Sequence, residues 1–296
     1  MSIVISAYNR AGFLPTCLSS LCTQTYPSSR YEIIVVDDGS SDGTADKARE
    51  VLSHWGGAFQ VIQKANGGPA SARNAGIRAS QADVIAFIDS DCVADSNWLT
   101  ALTDVLNSSD AAGVGGPLVN SSPKGWVSNY LNAADFYRHR VRAGKVDYLL
   151  TANVAFRRIA LLQVKGFAVL DGVWSEDADL SFRLVQSGYT LLLAKQGIVT
   201  HYGTPVSVRG LIKNLYRYGY GNCVLSIHWK NGRTPGTELI RHGGAIVLSP
   251  FLALSYTRRV GLAWAVAFWP LIAIEHTAFV VGLISGMMRG ISRGRL

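Results

Sequence analysis

Residues 85–92 read IAFIDSDC. The run Val84-Ile85-Ala86-Phe87-Ile88 suits a strand buried on both faces, and it ends in two carboxylates, Asp89 and Asp91, with small Ser90 between them. Side chains at i and i+2 of an extended chain point the same way, so both acids can face one ligand. Left alone they repel, and one of them would hold its proton. A hard divalent cation, Mg2+ or Mn2+, removes the conflict, because such ions take one or two carboxylates together with phosphate oxygens. The pair therefore predicts a metal that also holds a diphosphate. A solvated turn with a helix-capping aspartate is the plainer alternative.

Three similar units precede this strand. Residues 2–7 (SIVISA) form an apolar run, and Leu14, Leu18 and Leu21 follow at helical spacing. Residues 31–36 (YEIIVV) form a second run, after which Asp42-Gly43-Thr44 caps a helix over 45–54. A strand over 59–63, a helix over 70–79 and a strand over 83–88 complete the series. Strand and helix alternating with short connections predict a mostly parallel α/β sheet covered by helices on both faces.

Ligands of such sheets sit outside the carboxyl ends of the strands, and the polar clusters fall there. Tyr8-Asn9 follows the first strand, Asp37-Asp38-Gly39-Ser40 the second, Asn66-Gly67-Gly68 the third, and Asp89 with Asp91 the fourth. Asp37 and Asp38 could read a base and a ribose by hydrogen bonds, or cap a turn. The glycines after Asn66 let the backbone approach a ligand closely, and Arg73 could pair with a phosphate. Neither a P-loop nor GxGxxG occurs.

Farther on, residues 111–119 and 147–156 read as strands and 126–142 as a helix. Glu176 to Gln186 reads as a helix closed by Gly188, and Glu176, Asp177 and Asp179 suit its N-terminus. Strands over 190–194 and 197–200 end at His201.

The 296-residue chain carries a formal charge of +8 and 48% hydrophobic residues. A basic balance suits nucleic acid, anionic lipid or phosphorylated substrates. No basic-aromatic nucleic-acid module is present, so nucleic acid is not expected as a partner. The four cysteines form no CxxC pair and read as buried thiols. No cleavable signal is visible, which predicts an N-terminus in the cytoplasm.

Apolar residues gather after about residue 243. Residues 243–257 are short for a bilayer, whereas 260–288 are long enough if Glu275 and His276 find partners. Arginines flank the second segment on both sides, so charge does not set its orientation. A soluble helical hairpin is the competing reading.

In order along the chain, IVISAYNR, IIVVDDGSSDGT, NGGPASARNAG, IAFIDSDC, TANVAFRR and SEDADLSFRLVQSGY resemble the family 2 glycosyltransferases over roughly residues 2 to 205. The resemblance implies the GT-A fold, a nucleotide-sugar donor, a divalent metal on the D-x-D motif and inversion at the sugar carbon. It matches Asp37 and Asp38 to the base and ribose, Asp89 to the donor and metal, and Asp91 to the metal. Tyr8, Asn66 and Arg73 stand with the donor contacts, and His201 can lie near the metal or cap the core. Asp177 corresponds to the general base, with Glu176 beside it facing the acceptor and Trp174 a sugar platform or core residue. Arg217 could clamp a diphosphate or belong to a basic helix on a membrane surface. Gly166-Phe167-Ala168-Val169 departs from the family's Gly-Phe-Asp-Glu, which leaves the acceptor open.

The expected organisation is a catalytic domain over 1–205, an amphipathic basic connector over 206–242 and membrane-associated helices over 243–296. The expected activity is sugar transfer from a cytosolic nucleotide sugar to a lipid-linked or glycan acceptor at a membrane, with the catalytic domain on the cytoplasmic face. The alternatives are a sugar nucleotidyltransferase and a non-catalytic nucleotide-binding membrane protein. A nucleotidyltransferase calls for a Gly-rich basic loop after the first strand, where this chain has Ala7-Tyr8-Asn9-Arg10.

Overall fold

The computed structural model describes residues 1–121, 125–138, 141–142, 145–169, 175–203, 207–229 and 234–292. The chain forms two compact units, one of residues 1–121, 139–169 and 176–203, the other of 122–138, 170–175 and 204–296.

The first unit begins with β1 (Ser2–Ala7), α1 (Leu14–Cys22), β2 (Glu32–Asp37), α2 (Thr44–Ser53), β3 (Ala58–Gln63), α3 (Gly68–Ala79) and β4 (Val84–Ile88). Then come β5 (Cys92–Ala94), α4 (Trp98–Asn107), β6 (Gly113–Gly115) and β7 (Leu118–Asn120). Helix α5 (Trp126–Arg138) counts with the second unit. The first unit resumes with β8 (Val141–Arg142), β9 (Lys145–Val146), β10 (Asn153–Arg157), α6 (Arg158–Gln163), α7 (Glu176–Gln186), β11 (Leu191–Leu193) and β12 (Val199–His201). The rest of the second unit is α8 (Val208–Trp229), α9 (Pro235–Val247), α10 (Ser249–Leu254), α11 (Thr257–Val260) and α12 (Leu262–Ser292).

Nine strands form one sheet in the order β3-β2-β1-β4-β10-β6-β11-β9-β8, and β5-β12-β7 form a second, smaller sheet. Strands β1, β2, β3 and β4 are parallel, as the alternation predicts. Each sends alternate residues to opposite faces. Ile3, Ile5, Ile33 and Val35 join one core with Leu14, Leu18 and Leu52. Val4, Ile34, Val36 and Phe87 join the other with Ile77, Leu180 and Leu184. Burial on both faces explains why β1, β2 and β4 read as unbroken apolar runs, whereas β3, at the sheet edge, is largely exposed.

Beyond β4 the sheet departs from the expected pattern. Strand β10 is antiparallel to both β4 and β6. Only 153–157 of the expected strand over 147–156 is extended, because the chain turns just before it, with Asn153 N–H donating to Leu150 O at 3.1 Å. The run over 111–119 splits at Gly116-Pro117 into β6 of the large sheet and β7 of the small one. Proline has no N–H for a ladder. The helix expected over 126–142 stops at Arg138, and Val141–Arg142 is a strand.

One side chain ties these pieces together. The Asn153 amide donates to Pro117 O at 2.8 Å and Gly197 O at 2.9 Å, and its Oδ1 accepts from Trp98 Nε1 at 2.7 Å. All four cysteines are free thiols.

The helical unit has its own core, in which Val127, Tyr130 and Leu131 meet Leu211, Leu215, Phe268, Leu271 and Ile272. Residues Leu262–Arg289 of α12, 28 residues with mean hydropathy 1.7, are long and apolar enough to cross a membrane. Its two interrupting polar residues have protein partners. Tyr130 O–H donates to Glu275, and His276 Nδ1 lies 2.7 Å from His242 Nδ1.

Close packing of α3 on β1 yields a test. A Cβ on Gly76 would lie 2.3 Å from Cγ1 of Val4, a fully buried and rotationally stiff side chain. Gly→Ala inside a helix ordinarily stabilises by about 1 kcal/mol. Gly76→Ala is expected to destabilise instead, by about 1–3 kcal/mol, in thermal or urea unfolding. Val4→Ala in the same chain should recover part of the loss.

Candidate active site

The loops after β1 and β2 are knitted together by side chains that bond backbone. Asn9 is left-handed (φ 52°), its N–H donates to Ser40 Oγ at 2.8 Å, and its Oδ1 accepts from Ser41 N–H at 3.0 Å. Arg10 N–H donates to Thr44 Oγ1 at 2.8 Å, and Ala11 N–H to Asp42 Oδ2 at 3.0 Å. Tyr8, at the end of β1, is half exposed. Asp37 is buried and accepts from Ser40 N–H at 3.1 Å and from Ser40 Oγ.

Asp38 braces the third loop. Its carboxylate accepts from Gly67 N–H at 3.1 Å, Gly68 N–H at 2.7 Å and Lys64 Nζ at 2.5 Å. Asn66 Nδ2 donates to Asp38 O at 2.9 Å. Gly39 has a φ of 81°, and a Cβ there would stand 2.9 Å from Asn66 N, so only glycine suits this crossing. In this structure Asp38 and Asn66 thus hold each other's loops, and Asp37 holds its own turn.

After β4 the chain turns at Asp89, whose carbonyl accepts from Cys92 N–H at 3.0 Å. Strand β12 pairs antiparallel with β5, with His201 opposite Cys92. That register brings His201 Nε2 to 3.5 Å from Asp91 Oδ1. Ligand atoms of Asp89, Asp91, Cys92 and His201 all lie within 4.8 Å of one another. His201 Nδ1 is buried without a hydrogen-bond partner among the described residues. Cys92 is 1% exposed, and burial pushes its thiol far above the ordinary range, so it serves the core. Two carboxylates and an imidazole are a donor set that fits a divalent cation.

Arg73, 7% exposed in its side chain, joins this cluster to helix α7. Its guanidinium donates to Asp89 Oδ1 at 2.9 Å and to Glu176 Oε1 at 2.6 Å. Burial alone would lower its pKa, but Asp89 and Glu176 outweigh that and push it up. In the free protein, then, Arg73 is engaged by carboxylates at the place where a phosphate contact was expected.

Asp177 follows Glu176 and accepts from Ala178 N–H at 2.8 Å. Burial, and next the neighbouring Glu176, push its carboxyl up to about 7. Asp179 is buried and paired with Arg183 at 2.6 Å, a structural role. Arg217 sits on α8 of the helical unit. Trp174 lies outside the described residues.

Sequence reasoning passed over Arg10, which reaches Asp91 Oδ2 at 3.6 Å. Its position directly after Tyr8-Asn9, at the carboxyl end of β1, was the available signal.

A family model described as glycosyl transferase family 2 matches residues 2–164, and one described as glycosyl transferase family group 2 matches 84–288. The glycosyltransferase AglE of Haloferax volcanii is 30% identical over 229 residues, covering 75% of this chain and 72% of that protein. An uncharacterized glycosyltransferase of Nostoc, alr2836, is 36% identical over 114 residues, 38% of this chain and 35% of its own length. Among solved structures, the mannosyltransferase PcManGT from Pyrobaculum calidifontis, in complex with GDP-Man and Mn2+, superposes with a TM-score of 0.69 at 17% identity, over 97% of this chain and 87% of that one. Residues 1–349 of TarS from S. aureus superpose with a TM-score of 0.53 at 14% identity, over 99% of this chain and 91% of that one. The shared fold is the GT-A-like α/β arrangement. Matched by the family model over more than half of its length, and by AglE over three quarters of it, the chain belongs to glycosyl transferase family 2.

Proposed function

We propose that this glycosyltransferase inverts the sugar carbon, with Asp177 as general base and a divalent cation, Mg2+ or Mn2+, held by Asp89, Asp91 and His201. The observation that carries the proposal is that Arg73 bonds both Asp89 of that ligand cluster and Glu176, the neighbour of Asp177 at the start of α7. The donor is a nucleotide-diphosphate sugar. Asp37, Asp38, Asn66 and Tyr8 line its nucleoside end, and Asp89 and Arg73 its diphosphate and sugar. A cation on these ligands supplies charge neutralisation for the departing diphosphate.

The chain's own residues perform the remaining steps. Asp177 takes the proton from an acceptor hydroxyl, and the freed oxygen bonds to the sugar carbon on the face opposite the diphosphate. The carbon–diphosphate bond breaks, and its electron pair leaves with the phosphate oxygen. A single base suffices for inversion, whereas glycosidases need a second carboxyl to protonate the leaving group. A carboxyl raised to about 7 suits this work near neutral pH. Glu176, held by Arg73, borders the acceptor side.

The acceptor is lipid-linked and the enzyme works at a membrane, with residues 1–205 on the cytoplasmic side, 206–242 a basic connector and 243–296 the anchor. Support comes from the apolar length of α12 and from exposed Phe251, Leu262 and Trp269 on the helical unit. Arg209, Lys213 and Arg217 on α8 add basic charge. Each such residue near an anionic surface contributes about 1 kcal/mol of attraction. Arg217 would meet a phosphate of donor or acceptor.

Separate outcomes test each part of this reading. Asp89→Asn and Asp91→Asn should each weaken metal-dependent binding of GDP or UDP about tenfold or more while folding survives; titration calorimetry in Mn2+ with unchanged affinities for both would sink the metal assignment. Asp177→Asn should cut turnover by about 10²-fold or more at near-normal donor affinity, and the wild-type rate should rise as pH passes through about 7. Because the folded carboxyl is raised, its stabilising contribution is full below about pH 4 and lost as pH rises through about 7. Asp177→Asn should therefore raise Tm by about 3–8 °C at pH 8 and little at pH 4. In flotation assays the full-length chain should stay with membranes in high salt; release by salt would show surface attachment alone.

A further inference from the structure

The two proposed metal carboxylates each have an arginine, and the two arginines are held differently. Arg73 is buried, donates to Asp89 and Glu176 together, and is fixed on helix α3. Arg10 is 43% exposed in its side chain, sits on a loop, and has one acid within ion-pairing distance among the described residues, Asp91 at 3.6 Å. Its backbone is anchored, since Arg10 N–H bonds Thr44 Oγ1 and both neighbouring N–H groups bond side chains of the 40–44 loop. The result is a fixed base carrying a half-exposed guanidinium.

We propose that Arg10 is an exchangeable counter-ion. It neutralises Asp91 in the free protein, yields that carboxylate when a divalent cation arrives, and moves onto the diphosphate of the donor. The proposal rests on the metal-site reading above.

Charge and topology both favour the exchange. Asp89 and Asp91 repel when unpaired, and Arg10 supplies the second positive charge that Arg73 alone does not. A divalent cation outcompetes a single half-exposed guanidinium, because an exposed ion pair of this kind is weak. Once displaced, Arg10 stands at the carboxyl end of β1, which lies beside β4 in the sheet. Ligands gather over strand ends in this class of fold. Arginine's planar fork matches phosphate oxygens as well as it matches a carboxylate. Arg73 cannot make the same move without taking from Glu176, 12% exposed, the guanidinium that holds it.

The exchange has a signature that a merely structural arginine lacks, namely opposite effects on two ligands. In the full-length, detergent-solubilised protein, Arg10→Ala should tighten binding of Mn2+ alone about threefold, since a competitor is gone. The same variant should weaken binding of GDP and UDP in saturating Mn2+ about tenfold, since a charge-assisted contact is gone. Arg10→Lys, which keeps the charge but not the planar fork, should hold Mn2+ affinity within about threefold of wild type and recover only part of the nucleotide affinity. Calorimetry or Mn2+ spin resonance reads the first affinity and calorimetry the second, neither requiring turnover. Any result in which the two affinities of Arg10→Ala do not move in opposite directions overturns the exchange. Wild type that binds neither probe overturns the metal-site reading itself, and this proposal with it.

Discussion

Strands β1, β2 and β4 expose almost nothing on either face, because helices cover both. That burial decides where chemistry can be placed. A charge within such a strand would lose its hydration without a partner, so acids emerge only where the strands run out. All four parallel strands run out along one edge, and each leads into a carboxylate, an amide or a glycine turn. The concentration of function there follows from the cost of placing it elsewhere.

Arg73 is the necessary consequence of crowding acids at that edge. Asp89, Glu176 and Asp177 come from segments far apart in the chain, and without a buried cation their mutual repulsion would oppose the packing of α7 on the sheet. A buried ion pair adds little net stability over apolar packing, but loss of one partner is costly. The arrangement thus fixes geometry more than it strengthens the fold. Asp177 receives only part of that compensation, and its raised carboxyl marks a site kept in tension with stability.

Much of this was legible in the chain. Continuous apolar runs and short connections identified β1 to β4 and the helices between them, and α7 has the limits that its acidic start and Gly188 imply. What local pattern could not carry was pairing. Strand β10 reads like any apolar strand, and nothing local shows that it enters antiparallel between β4 and β6. Helix α5 interrupts the α/β unit in sequence yet packs with helices that begin some eighty residues later. The Arg10–Asp91 and Arg73–Glu176 pairs join residues that only the fold brings together. Asp38 was noticed as a polar group at a strand end, but its bonds to Gly67 and Gly68 depend on loop shape.

The amide of Asn153 joins the stretch before β7, the stretch before β12 and helix α4 to the strand beside β4. His201 ends β12, and Asp89 and Asp91 follow β4. The gap between imidazole and carboxylates, which the β5–β12 register fixes, thus has a second brace outside the cluster, much as a calliper is steadied at its pivot. Mg2+ bonds oxygen at about 2.0–2.1 Å and Ca2+ at about 2.3–2.6 Å, so a stiff gap sorts cations by radius. A cation held there, as proposed, would then be chosen in part by a residue that never touches it.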